Sequence, residues 1–239
     1  MTRRLLGGWD ADPLWGTFYD WTVEHPNAGG AVWKVGIQSD LGRLYAAAGE
    51  IGRQAAGSRI LDVPCGGGVA VHALLPGQDV DYVAADISQR MIDRTLARAE
   101  DLGVAGQVTG HLADVGDLPF EDGSFDLVVT FTGLHCFPDP ARALVEMCRV
   151  VRPGGVITGS ALMNDTGRRY EPMRRAGRLS GLLGPGCTAD DVRLWLTAQG
   201  IDEVTLEVSG PMGYFRGVRA PAGPAEPGAP SRRPRRGRP

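Results

Sequence analysis

From Arg59 onward the apolar and polar positions alternate between two rhythms. Arg59 to Val63 reads as a short buried strand, followed after a glycine turn by a helical stretch to about Leu75. Val80 to Ala85 predicts the next strand. Ser88 to Asp101 predicts a helix, because Met91, Ile92, Thr95, Leu96 and Ala99 fall on one face. Val108 to Leu112 reads as a strand, and Phe125 to Phe131 is apolar almost throughout, as a central parallel strand must be. Asp139-Pro140 then supplies an N-cap and an N1 proline, with Leu144, Met147, Cys148 and Val151 at helical spacing. Arg152-Pro153-Gly154-Gly155 ends that helix, and Val156 to Ala161 is the fifth strand. Strands and helices alternating in this way predict a doubly wound α/β sheet with right-handed crossovers.

The flanks are less regular. Residues 162–186 read as an insertion with a short helix from Tyr170 to Leu179. Thr188 followed three residues later by Asp191 is a capping box, opening an apolar helix through Val192, Leu194, Trp195, Leu196 and Ala198 that stops at Gly200. Glu203 to Val208 and Gly213 to Val218, joined by a Gly210-Pro211 turn, predict a closing hairpin and an antiparallel edge. Residues 1–50 hold Trp9, Trp15, Trp21 and Trp33, with one helix expected through Phe18 and Tyr19 and a second from about Trp33 to Ala48. They read as a helical flap on a domain at 51–220. Residues 221–239, rich in Pro, Gly, Ala and Arg, read as a disordered tail.

Composition narrows the function classes. Of 239 residues, 43% are hydrophobic and 22% charged, as in an ordinary soluble protein. The net charge is -3, and the tail concentrates five arginines against the single acid Glu226, so the rest of the chain is acidic. That speaks against nucleic acid as a partner. Cys65, Cys136, Cys148 and Cys187 form no C-x-x-C pair, which fits a reducing cytoplasm and no zinc site. No apolar run has the length to span a bilayer, and no signal peptide is readable.

The chemistry concentrates at three consecutive strand ends. Asp62-Val63-Pro64-Cys65-Gly66-Gly67-Gly68 puts glycines directly after the first strand, where a ligand can approach bare backbone. The spacing is neither G-x-G-x-x-G nor a Walker loop. Asp86 ends the second strand and could accept hydrogen bonds from both hydroxyls of a ribose. Asp114 follows the third strand, placed for an exocyclic amine, with the Val115 N–H beside it for a ring nitrogen. Singly each acid also reads as a loop or cap residue; together they point to a nucleoside.

These residues resemble the class I S-adenosylmethionine-dependent methyltransferases, in particular the small-molecule branch similar to the ubiquinone/menaquinone enzymes, over about residues 55–218. Leu118 to Asp126, Leu134 to Pro140 and Leu144 to Gly155 are also family-like. The resemblance implies a Rossmann-like, mostly parallel seven-stranded sheet with an antiparallel last strand. It implies S-adenosylmethionine as cofactor, held by Asp62, Cys65, Gly66, Gly68, Asp86, Ile87, Met91, Asp114, Val115 and Phe131, with Tyr19 over the methionine end. Pro64 departs from the family pattern, standing where a glycine is usual; proline fixes φ and donates no N–H.

For the acceptor, the end of strand four offers Thr132, His135 and Cys136; the insertion offers Asn164, Asp165 and Tyr170, and the flap Trp15. His135 is the motif-placed residue with a pKa suited to a general base; a structural or positioning role is its alternative. No metal is expected. The expected function is methyl transfer to an oxygen or carbon nucleophile of a small molecule in bacterial secondary metabolism, by a cytoplasmic enzyme whose partners are its acceptor and at most a second copy in a homodimer. The alternative is a cofactor-binding relative with non-methyl chemistry or a partner-supporting role. A nicotinamide oxidoreductase is disfavoured by the glycine spacing.

Overall fold

In a computed structural model, which describes residues 39–221, seven strands form one sheet in the order β3-β2-β1-β4-β5-β7-β6. The chain runs α1 (Leu41–Gly52), β1 (Arg59–Asp62), a 3₁₀ turn (Ala70–Ala73), β2 (Asp81–Asp86), α2 (Gln89–Asp101), β3 (Val108–Leu112), β4 (Phe125–Phe131), α3 (Pro140–Val150) and β5 (Val151–Leu162). It continues through α4 (Glu171–Ser180), α5 (Ala189–Ala198), β6 (Ile201–Ser209) and β7 (Met212–Arg219). β1 to β5 pair in parallel, and β7 runs antiparallel to both its neighbours. The expected sheet is therefore present. Its antiparallel strand, however, lies inside the sheet, and β6 forms the edge.

Alternation along the strands sorts the core into two layers. Ile60, Tyr82, Leu127, Val129 and Phe131 pack with Leu44 and Ile51 of α1 and Ile92 of α2. Leu61, Val83, Val128 and Phe215 pack on the other face with Leu144 and Met147 of α3 and Val192 and Leu196 of α5. The caps read from sequence are formed. Asp139 accepts the Arg142 N–H at 3.0 Å, and Thr188 and Asp191 exchange both capping-box bonds.

Three expectations need correction. The helix expected after the glycine turn is only the 3₁₀ turn, because Gly68 leaves helical space at φ +82° and Pro76 blocks extension beyond Leu75. Arg152 to Gly155 belongs to β5, with residues 152–154 exposed, where the pairing with β4 slips between Phe125 and Leu127. The helix expected over Trp33 to Ala48 starts at Leu41, capped by Asp40, and runs through the boundary placed at residue 50. Its buried Leu44, Ala48 and Ile51 make it part of the main core. Trp15, Tyr19, most of the flap and the 222–239 tail lie outside the described residues.

Candidate functional site

In a doubly wound sheet, ligands sit beyond the carboxyl ends of the strands where the order reverses, here between β1 and β4. The glycine turn occupies that place. The Cys65 N–H donates to Ala85 O at 2.9 Å, which ties the turn to the end of β2, and the Gly68 N–H donates to Cys65 O at 3.0 Å. Gly66 has φ +52°, and a Cβ there would point into open space, so the backbone is approachable. Gly68 is packed from behind: a Cβ would lie 3.1 Å from Thr95 Cα.

Asp86 is buried at the end of β2. It accepts the Gly66 N–H at 3.1 Å through Oδ2 and the Ser88 N–H at 3.0 Å through Oδ1. The acid read as a ribose ligand thus also buttresses the turn. Beside it Ile87 is 71% exposed, an apolar side chain left open at the strand edge. Met91 is buried on α2. Asp114 is exposed and accepts the Gly116 N–H at 2.8 Å, while Val115 packs partly into the core. Phe131 is buried at the end of β4.

Asp62 is fully buried and accepts the Tyr82 hydroxyl at 2.7 Å. Burial, with Asp86 nearby, pushes its carboxyl up to about 7, while the Tyr82 hydrogen bond acts in the opposite sense. The Cys65 thiol is driven far up by burial and by the two acids. Pro64 fits against Gly133, where a Cβ would overlap Pro64 Cδ and lie 2.9 Å from Phe137 Cζ. Glycine at 133 makes room for the proline that departs from the family pattern.

The acceptor-side residues are largely committed to structure. His135 Nδ1 accepts the Leu162 N–H at 3.0 Å. That bond leaves the proton of a neutral ring on Nε2, so the ring has no free lone pair with which to act as a base. Burial pulls the His135 pKa down to about 4 although part of the residue meets solvent; both observations leave a neutral imidazole at pH 7. The general-base expectation is corrected on that ground. Thr132 has φ +56° and its N–H donates to Ser160 O at 2.9 Å; the Cys136 thiol lies 3.5 Å from Thr132 O. Asn164 binds Pro185 O at 2.9 Å and Arg178 Nη2 at 2.6 Å, pinning the 182–187 loop. Asp165 accepts the Ala189 N–H at 3.3 Å, at the start of α5. Tyr170 is buried under the Arg169 guanidinium, 4.7 Å from the ring centre.

Sequence reading missed Tyr82, Ser88 and Thr95, which fix the turn and its acids. Tyr82 had a signal, since a phenol in a fully buried strand needs a partner; Thr95 passed as one more member of an apolar helix face. A separate cavity of about 200 Å³ lies between α1 and the sheet, lined by residues that include Arg43, Glu50, Arg53, Glu207 and Arg216. These charges pair among themselves, Arg216 with Glu50 at 2.6 Å, and none of the site residues named above lines it. Among the described residues no cluster of three His, Cys, Asp or Glu could hold a metal, and no helix is long and apolar enough to cross a membrane.

A family model described as a methyltransferase domain matches residues 61–158. The chain is 36% identical over 100 residues to 27-O-demethylrifamycin SV methyltransferase of Amycolatopsis mediterranei, a match covering 42% of this chain and 37% of that enzyme. It is 32% identical over 202 residues to an uncharacterized protein of Mycobacterium tuberculosis, covering 73% of this chain and 69% of that protein. The chain spans between 20% and 56% of the first five curated relatives it matches. The crystal structure of the [4+2]-cyclase SpnF superposes with a TM-score of 0.61 at 19% identity, covering 77% of this chain and 82% of the cyclase.

Proposed function

Because the chain belongs to the class I S-adenosylmethionine-dependent methyltransferase family, we propose that it transfers a methyl group from S-adenosylmethionine to an oxygen or carbon nucleophile of a small molecule, in bacterial secondary metabolism. The observation that carries this reading is the bond between Asp86 and the Gly66 N–H, which joins a ribose-type acid and an open glycine backbone into one unit at the switch point. The site fits the cofactor on its own terms: bare space over Gly66, a buried carboxylate at the strand end and the exposed Ile87 beside it. The natural-product relative supports an oxygen acceptor, and the ubiquinone/menaquinone C-methyltransferase of Psychromonas ingrahamii, 32% identical over 121 residues, supports a carbon one.

On this reading Asp86 holds the ribose hydroxyls, the Gly66 to Gly68 turn takes the methionine end, and Ile87, Met91 and Val115 line the adenine with Asp114 at its amine. Cys65, Asp62 and Phe131 shape the floor. The cofactor supplies an electrophilic methyl on a sulfonium, so the chain's own work is to hold, orient and exclude water. His135, fixed by the Leu162 N–H, presents an Nε2–H donor that positions an acceptor oxygen without taking its proton. A second reading, cofactor binding with non-methyl chemistry, is favoured by that same lack of a lone pair at His135.

The experiment is calorimetric titration with S-adenosylmethionine, S-adenosylhomocysteine and NAD, followed by an acceptor screen that reads S-adenosylhomocysteine release. Binding of the first two and not the third, with release dependent on an acceptor, supports methyl transfer. Binding without release under any acceptor favours the second reading. Binding of NAD alone would sink both.

A further inference from the structure

Beneath the glycine turn lie two acids and a phenol with no cationic partner for Asp62 among the described residues. The Tyr82 side chain reaches Asp62 from the neighbouring strand: Tyr82 pairs with Ile60 and Asp62 with Ala84, so the phenol crosses two residues along one sheet face. The groups facing Asp62 can be named from each side. β2 brings Tyr82 and Asp86, and the turn brings Cys65, whose thiol senses both acids. The paired residue of β4 is the apolar Val129. α2 contributes Thr95, whose hydroxyl is engaged by Gly66 O at 2.9 Å. A carboxylate removed from water with a second acid nearby takes up a proton readily, and the Tyr82 donor works against that tendency.

We propose that Tyr82 is a positioning residue for the cofactor: by donating to Asp62 it keeps that carboxylate ionised beneath the glycine turn, and the resulting negative charge favours the sulfonium cofactor over its thioether product. The proposal rests on the S-adenosylmethionine reading given above. S-adenosylmethionine differs from S-adenosylhomocysteine by the sulfur-bound methyl and the positive charge that comes with it. The charge under the turn is therefore what tells the two apart, and in a shielded site it acts over several ångströms. An ionised Asp62 attracts the sulfonium; a protonated one does not. The preference is full above the Asp62 pKa and fades as pH falls through it.

The test measures Kd for both molecules by calorimetry between about pH 5.5 and 9 on the wild-type protein, Tyr82→Phe and Asp62→Asn, with folding checked by circular dichroism. The sulfonium lowers the pKa of the neighbouring ammonium in S-adenosylmethionine, so the amino titrations of the two molecules differ; the ratio of the two affinities is therefore read at each pH against Asp62→Asn, which meets the same ligand titration without the Asp62 charge. For the wild type, the relative affinity for the sulfonium is expected to rise about tenfold with pH through a midpoint near neutrality. Tyr82→Phe, which keeps the ring and loses the donor, moves that midpoint up by about one pH unit. Asp62→Asn loses the Asp62 step and shows only the ligands' own titration. A merely structural Tyr82 would weaken both molecules together and leave the midpoint in place; that result, or a wild-type profile that follows Asp62→Asn, overturns the proposal. A wild type that binds neither molecule at any pH overturns the cofactor reading itself, and the proposal with it. Should Tyr82→Phe not fold, carbon-13 titration of the Asp62 carboxyl in the unliganded wild type decides, the signal being assigned by its loss in Asp62→Asn. A carboxyl midpoint that coincides with the midpoint of the affinity ratio supports the proposal, and one that does not coincide defeats it.

Discussion

The Asp86 carboxylate and the Gly66 N–H are 3.1 Å apart, so the acid that ends β2 and the turn that ends β1 are one mechanical unit. Replacing Asp86 by alanine therefore removes a ligand contact and releases the turn at the same time. Asp86→Ala is expected to weaken S-adenosylmethionine by more than about thirtyfold and to lower stability by about 1–3 kcal/mol, because the half-buried Gly66 N–H and the buried Ser88 N–H lose their acceptor. Calorimetry and urea denaturation read the two effects separately. A variant with lost binding and unchanged stability would show that the turn stands without Asp86.

Pro64 and Gly133 are sterically complementary. Gly133→Ala brings a Cβ into Pro64 Cδ and within 2.9 Å of Phe137 Cζ and Thr130 Oγ1, so a destabilisation of about 1–3 kcal/mol is expected. Pro64→Ala removes the Cδ and should return part of that loss in the double variant. A double-mutant cycle with no coupling would dissociate the two positions.

Asp62 makes the unliganded protein sensitive to alkali. Its carboxyl stands at about 7 in the folded chain, above its value in an unfolded one, so its contribution is fully present below about pH 4 and is lost as pH rises through 7. Asp62→Asn should accordingly be the more stable protein at pH 8, by a few kcal/mol at most, with the gap closing toward pH 4. Thermal melts across this range check the sign; a gap that widens on acidification would refute it.

Arg149 is the fastening of the loop that leads into β4. Its guanidinium binds Glu146, Asp122 and the carbonyls of Leu118 and Phe120, each at 2.8 or 2.9 Å. Arg149→Lys cannot reproduce this fork, and a loss of about 2–4 kcal/mol is expected with it as with alanine. Hydrogen exchange should rise over residues 115–123 first.

His135 should leave no mark on the pH dependence of turnover between about pH 5 and 8, since its Nδ1 is occupied and the ring stays neutral. His135→Asn, which can still accept the Leu162 N–H, is expected to keep kcat within about tenfold once an acceptor is in hand. A loss of several thousandfold together with a vanished inflection near neutrality would restore a base at this position.

The strand and helix order was legible because each element announces itself locally, as in the apolar run Phe125 to Phe131 or the Asp139-Pro140 cap. The placement of the glycine turn, Asp86 and Asp114 at consecutive strand ends was legible from the strand pattern, while their ligand roles came from the resemblance. What sequence could not carry was the commitment of side chains to distant backbone. Asn164, Asp165 and His135 read as acceptor ligands because they are polar and follow strand ends, yet each answers a backbone group, at 185, 189 and 162 respectively. Tyr82 carried a signal, a phenol in a buried strand, but its partner Asp62 could be named only once the strand beside it was known.

The interior position of β7 sets an order of events on the ribosome. β5 ends at Leu162, but its outer edge pairs only with residues 212–218, so some fifty residues must follow before that edge can close. β6, which is made earlier than β7, has no other strand to join among the described residues until β7 arrives. The growing chain therefore exposes a long unpaired β5 edge to its neighbours for as long as those residues take to emerge, and sheet completion waits on the last strand made.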